Sequence, residues 1–491
     1  MSSRLRFFIA CLATAALLAP LTWLWQASLL PDEYSVMDMG YADYGGGPTT
    51  GGHAGHAGMS AAGMSVVSMT ADPRRKPDVQ VTLRAEAREF ELASGRKVDG
   101  YTLNGQSPGP QIRAVEGELV EVRLENESVP AGVTLHWHGM DVPNAMDGVA
   151  GVTQDAVREG GSFTYRFVVD QVGTYWYHSH QLSHEQVQRG LLGAIVVTPK
   201  RYEPADVDKL ALVHLYDGHR TVNGEEGDVP VAAAPGDTAR VRVVNTDNGP
   251  MPVWVSGASY RVAAVDGTDV NEPTSVSEKS ILVTAGGRAD LEVEMPADGS
   301  AVRVEMGGSA ALVLGGDGSD VPETERPTSF VDMLSYGAPA RLGFDPEQPT
   351  RDFDYVVGRR PGFLDGRPGL WWTINGHMYP NVPMFTVTEG DVVQMRIENK
   401  SGDVHPMHLH GHHAVVLSRN GVEATGSPWW VDSLNVADGE SYEIAFLADN
   451  PGVWMDHCHN LPHAAQGLVA HLMYAGYTTP FAIGGSRNQP E

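Results

Sequence analysis

Cys458 stands between two histidines in the run Trp454-Met455-Asp456-His457-Cys458-His459, and His463 follows after a short gap. The only other cysteine, Cys11, lies in an apolar stretch near the N-terminus. Side chains alternate along a strand, so a strand through this run sends His457 and His459 to one face and Cys458 to the other. One short segment could then ligate two metal centres. A lone soft thiolate with imidazole partners suits a blue copper ion, whose third equatorial ligand His463 could supply. Electrons arriving on the Cys458 side would have a few covalent bonds to cross to reach the His457 and His459 side. Taken alone, a His-Cys-His tripeptide reads as a buried thiol between incidental histidines. Three further clusters reverse that reading: His136-Trp137-His138-Gly139, His178-Ser179-His180 and His405-Pro406-Met407-His408-Leu409-His410.

These four motifs, in this order and at these spacings, closely resemble the copper signatures of the three-domain multicopper oxidases, the laccase-like enzymes. The resemblance covers nearly all of the chain after about residue 76. It implies four copper ions: one type 1, one type 2 and a type 3 pair. Carried over position by position, it implies that His405, Cys458 and His463 hold the type 1 copper, and that His136 and His408 hold the type 2 copper. His138, His178, His180, His410, His457 and His459 would hold the type 3 pair. The family's axial type 1 position falls on Leu468, which cannot coordinate. Asp147, in Met146-Asp147-Gly148, matches the family's acidic residue near the type 2 copper, where a proton donor serves the reduction of dioxygen to water. Many bacterial relatives carry a Glu directly after the last type 1 histidine, and here that position is Ala464; Asp456 is a possible substitute.

The elements that position these residues follow from an internal repeat. Gly117-Glu118-Leu119-Val120-Glu121-Val122-Arg123-Leu124-Glu125-Asn126, Gly236-Asp237-Thr238-Ala239-Arg240-Val241-Arg242-Val243-Val244-Asn245 and Gly390-Asp391-Val392-Val393-Gln394-Met395-Arg396-Ile397-Glu398-Asn399 each open on Gly-acidic and run as an alternating strand to Asn. Their separations are domain-sized, so they mark three copies of one β-domain rather than a solenoid. Short alternating strands with Gly and Pro turns fit β-sandwiches, and the resemblance makes them cupredoxin-type Greek-key domains in an all-β chain. The expected organisation is a leader over 1–30, a disordered linker over 31–76, and domains over 77–200, 201–335 and 345–491. The second copy has Trp254-Val255-Ser256-Gly257 where the others have paired histidines, so it is expected to hold no copper and to serve mainly as a spacer. The first copy has Ser179 where the third has Cys458, so it is expected to lack a type 1 site.

The chain has 491 residues, room for three domains and a large core, and a net charge of -27. Such a balance argues against a nucleic-acid surface, so no nucleic-acid partner is expected; acidic charge favours cationic partners or simply solubility. With Cys11 in the leader, no disulfide framework is expected and Cys458 is left free for metal. Phe7 to Leu30 is long and apolar enough to span a bilayer, and Arg4 and Arg6 before it place the remainder outside the cytoplasm. The protein is expected to be anchored at the outer face of the membrane, or secreted if the leader is cleaved. Met37, Met39, His53, His56, Met59, Met64 and Met69 are scattered through the linker, where thioethers and imidazoles suit weak capture of soft cuprous ions.

The resulting expectation is a monomeric copper oxidoreductase. It couples one-electron oxidation of phenols and aromatic amines, or of cuprous or ferrous ions, to four-electron reduction of dioxygen. The rivals are a non-catalytic cupredoxin-fold structural or copper-storage protein and a copper nitrite reductase; filled ligand positions argue against the first and the eight-histidine cluster against the second. Asp403, close before His405, reads as a solvated loop carboxylate, and His412, His413, His184, His214, His219, His377 and His471 read as ordinary histidines.

Overall fold

A computed structural model describes residues 3–47, 63–201, 203–316, 321 and 324–491. Helix Ser3–Ala27 has no buried residue. The rest is built almost wholly of strands around three large apolar cores, one for each β-sandwich.

In the first sandwich, one sheet runs Ile112–Val115, Leu192–Thr198, Gly173–His178, His136–His138, so two of the histidine motifs are neighbours across an antiparallel ladder. The third sandwich repeats the arrangement. Strands Val469–Tyr474, Val453–Cys458 and His405–Leu409 lie side by side, with His408 opposite His457 and Met407 opposite Cys458. The second sandwich forms one continuous eleven-stranded path.

The repeated Asn that closes each copy has a single structural cause. Asn126, Asn245 and Asn399 are all buried, and each uses its side-chain amide to tie down the loop that follows. Asn126 donates to Val129 and Val157 carbonyls, Asn245 to Gly249 and Val283, and Asn399 to Asp403 and Val436. A buried amide satisfied in this way fixes the loop, whereas an apolar replacement would orphan those carbonyls at about 1–3 kcal/mol. In the third copy the pinned loop leads directly into His405.

The expected linker is corrected on its described residues. Glu33–Tyr34 pairs with Ile483–Gly484, Tyr41–Asp43 adds to Pro383–Val387 at the edge of the third sandwich, and Met64–Ser65 pairs with Tyr477–Thr478. Val36, Met39 and Val66 are buried in a small core with Met384, Met455 and Met473. Low apolar periodicity concealed these contacts, because each segment borrows its partner strand from the far end of the chain. Met39 is therefore packing, and Met37 packs beside it, while Met64 and Met69 stand at short strand and turn ends; His53, His56 and Met59 lie outside the described residues.

Candidate metal centre

Cys458 ends strand Val453–Cys458, and its neighbour His459 is followed by the short helix Leu461–Ala465, which folds His463 back over the thiol. The Cys458 Sγ lies 3.5 Å from His405 Nδ1 and 3.8 Å from His463 Nδ1, and the two nitrogens are 3.3 Å apart. One sulfur and two imidazole nitrogens thus converge on one point. Leu468 is fully buried in the same core as Cys458 and supplies only apolar surface. Burial pushes the Cys458 thiol up and depresses His405 to about 3, so the donors are a neutral thiol and neutral imidazole until a cation stabilises the thiolate. Trp372 covers the pair, its ring centroid 4.7 Å from His405 and 4.5 Å from His463.

The other eight histidines face each other across the junction of the first and third sandwiches. Three groups bring their ligand atoms together: His136, His138 and His408; His138, His178 and His459; and His180, His410 and His457. His136 and His408 approach through Nε2 at 3.4 Å, and His410 and His457 through Nε2 at 3.2 Å. Their outer nitrogens are held by the chain. Nδ1 of His136 donates to the Asp147 carbonyl at 2.9 Å, His408 to Asp432 at 2.8 Å, His178 to Ser179 at 3.0 Å and His180 to Pro490 at 3.1 Å. A carbonyl can only accept, so these contacts fix the proton on Nδ1 and leave the Nε2 lone pair pointing inward. His138 is turned the other way, with Nε2 3.2 Å from Asp432 Oδ1.

Whether this pocket suits metal is tested by its own unpaired atoms. Nε2 of His178, Nδ1 of His138 and both ring nitrogens of His459 are buried with no protein partner. Burial, reinforced by the neighbouring imidazoles, holds His138, His178, His180, His408, His410 and His457 well below the ordinary histidine range. Neutral, inward-facing lone pairs in a dry pocket are an array of imidazole donors that fits copper.

Asp147 lies beneath the cluster, its carboxylate 3.1 Å from both His136 Nδ1 and His410 Nδ1, and burial raises its pKa. Asp456 is corrected as a substitute for the acid missing at Ala464: alternation along its strand puts it on the Cys458 face, away from His457 and His459. Burial lifts it to about 8. The carboxylate on the cluster side belongs to Glu491. Its Oε1 is 3.2 Å from His457 Nδ1 and 3.8 Å from His180 Nε2, and it accepts a hydrogen bond from Ser183. Glu491 also lines a cleft of about 1180 Å³, together with Tyr379, Met455, Ala464 and His471.

The second sandwich is more than a spacer. Its Arg288 donates two hydrogen bonds of 2.6 Å to Asp432, the residue that orients His138 and His408, and Asp266 of the same domain accepts from the Asp432 and Ser433 amides. Burial opposes the charge, yet Arg288 and His138 hold the Asp432 carboxyl well below its usual range. Gly286 passes so close that a Cβ there would meet His138 and His459. His413 is likewise not ordinary: burial acts against its charge, but Asp141 and Asp432, 3.5 and 3.3 Å away, keep its pKa near 10. Asp403 is paired with Arg359 at 2.6 Å, and that guanidinium lies 3.8 Å over the Trp372 ring.

The chain belongs to the multicopper oxidase family: two family models described as multicopper oxidase match residues 85–202 and 348–476, together about half of its length. Multicopper oxidase MmcO of Mycobacterium tuberculosis is 29% identical over 86% of this chain and 91% of its own. Laccase-1 of Botryotinia fuckeliana is 29% identical over 78% of this chain and 79% of its own. The crystal structure of a multi-copper oxidase from Pseudomonas thermotolerans superposes with a TM-score of 0.67 at 28% identity, covering 81% of this chain and 99% of that one. The protein is a copper-dependent oxidoreductase of the class that uses dioxygen.

Proposed function

We propose that His405, Cys458 and His463 hold a type 1 copper, His136 and His408 a type 2 copper, and His138, His178, His180, His410, His457 and His459 a type 3 pair. Four bound coppers would supply one-electron oxidation at the thiolate site and four-electron reduction of dioxygen to water at the histidine cluster. The chain's own part is to bind, orient and exclude water. Cys458 and its flanking histidines form a covalent bridge of a few bonds between the two ligand sets. Asp147 orients His136 and His410 and holds a proton at the floor of the cluster. The cleft that Glu491 lines is the access for dioxygen and solvent.

The reductant we favour is a phenol or aromatic amine. The observation that carries this is the partly exposed His463, packed on the buried Trp372 whose ring is covered by Arg359, with Asp403 already neutralised by that same arginine. A ferrous-ion rim needs unpaired carboxylates and a cuprous-ion rim thioethers, whereas an imidazole edge beside a guanidinium suits stacking by an aromatic reductant. Cuprous or ferrous ion is the second reading, favoured by the net charge of -27. Steady-state kinetics on the copper-loaded protein separates them: a kcat/KM for a substituted phenol well above that for cuprous ion is expected, and the reverse order would replace the aromatic reading with the metal one. Helix Ser3–Ala27 anchors the protein in a membrane, with the three sandwiches outside the cytoplasm, and the protein acts as a monomer.

A further inference from the structure

The strands Arg351–Leu364 and Arg367–Ile374 make a hairpin longer than the sheet it belongs to. Only Arg351 to Val357 pairs with the next strand, Val392–Asn399; from Gly358 to Leu364 the sole partner is the returning strand. The outer half is therefore a two-stranded ribbon standing beyond the sandwich. Arg360, Arg367 and Pro368 are exposed on it and Leu370 is 58% exposed, while Phe363, Leu364 and Trp371 are half-buried. Between residues 358 and 371 there are three arginines and one acid, Asp365, in a chain whose net charge is -27. The ribbon is thus locally basic, aromatic and apolar on an acidic protein.

The turn of this ribbon is tied to the end of helix Ser3–Ala27. Trp25 Nε1 donates to the Gly366 carbonyl at 3.1 Å, the Gly366 amide donates to Ser28 Oγ at 3.2 Å, and the Asp365 amide donates to the Ser28 carbonyl at 3.0 Å. Asp365 spends its carboxylate on the Leu30 amide at 3.4 Å. The helix has 25 residues, a length of about 37 Å at 1.5 Å per residue, enough for a hydrocarbon core of about 30 Å. Its exposed tryptophans, Trp23 and Trp25, fall near one end, where aromatic side chains settle at the headgroup level. A turn bonded to Trp25 then lies at that level too.

Resting on the reading of that helix as a membrane anchor, the geometry points to the ribbon 358–371 as a docking surface for the anionic phospholipid headgroups of the bilayer that the helix spans. Arg360 and Arg367, on one face of the ribbon, meet phosphates, and Leu370, on the other, enters the interface. Trp372 follows on the same strand, and alternation puts Leu370 and Trp372 on one face. The docked ribbon would therefore hold the His463 edge close to the lipid surface and present it to aromatic reductants that partition there.

The test uses the full, copper-loaded chain in vesicles of phosphatidylethanolamine and phosphatidylglycerol. A fluorophore is placed on native Cys11, on Leu370→Cys in a Cys11→Ser background, or on Ala297→Cys of the second sandwich in the same background; Cys458 is buried and does not label. We expect nitroxides deep in the acyl chains to quench the Cys11 probe, headgroup nitroxides to quench the 370 probe several-fold, and neither to affect the 297 probe. Adding Arg367→Glu should at least halve quenching at 370 without changing that at Cys11 in the matching variant. A quenched Cys11 probe with an unquenched 370 probe would overturn the docking surface while leaving the anchor intact. An unquenched Cys11 probe would remove the anchor and this inference with it.

Discussion

The first and third sandwiches build the same frame around two different residues. Ser179 donates its amide to the Leu191 carbonyl at 3.0 Å, and Cys458 donates its amide to the Leu468 carbonyl at 3.2 Å. Each is followed by a short helix, Ser183–Gln186 in one and Leu461–Ala465 in the other. The repeat alignment that matches His136 with His408 and His178 with His457 sets Val133 against His405 and His184 against His463. The first sandwich thus keeps one imidazole, an equivalent leucine and the backbone of a thiolate site, and lacks two donors. Ser179 spends its hydroxyl on Gln186 at 2.6 Å instead. The fold fixes where such a site can be, and two side chains decide whether it exists.

The strongest way to break the comparison is to make the third sandwich resemble the first. Cys458→Ser should abolish the intense blue absorption and the oxidase activity of the copper-loaded protein, while copper analysis finds the histidine-cluster metals retained. Persistent blue colour in this variant would mean that the thiolate lies elsewhere. Asp147→Asn comes next. It keeps the shape beneath His136 and His410 but removes the acid, so turnover should fall by about 100-fold, within the range for a lost general acid, with copper content and colour unchanged. Unaltered turnover would reduce Asp147 to a turn residue that braces two imidazoles.

Those two residues were legible in the sequence because each sits inside or beside a compact motif whose residue types have few other uses. Strand alternation alone separated Cys458 from His457 and His459. Asp432, Arg288 and Glu491 were not legible, since a single Asp, Arg or Glu carries no local signal and each reaches the cluster only through the packing of distant segments. Glu491 lies 34 positions beyond His457 in sequence yet 3.2 Å from it in space. The strands at Glu33–Tyr34 and Tyr41–Asp43 escaped for the same reason: their ladders are completed by residues 483–484 and 383–385. Pattern reading sees periodicity within a segment, and these segments acquire theirs from a partner.

Leu468 and Leu191 occupy matching places, but only Leu468 faces a donor set, so replacing it sharpens the comparison without destroying it. A thioether donates weakly to a cupric ion, whereas leucine offers apolar surface that disfavours the higher charge. Leu468→Met is nearly volume-conserving and should cost less than about 1.5 kcal/mol. It should lower the potential of the blue centre in a redox titration and slow oxidation of poor reductants if electron entry limits turnover. No downward shift would show that residue 468 does not stand over the metal.

The smallest expected effect comes from the reverse exchange, Ser179→Cys. A thiol fits the space of the hydroxyl but bonds weakly to Gln186, whose amide nitrogen is already committed to the Gly132 carbonyl at 2.9 Å. The buried Gln186 oxygen would lose its donor, a loss of about 1 to 3 kcal/mol, visible as a modestly lower unfolding midpoint. No second blue centre should appear. Val133 offers no nitrogen where the third sandwich has His405, and a buried thiol with at most the aligned His184 imidazole has too little cationic or metal stabilisation to ionise. Copper stoichiometry and the visible spectrum should therefore match the parent. An added copper equivalent with a stronger blue band would show that the backbone frame and His184 suffice, and that residue 133 is not what keeps the first sandwich silent.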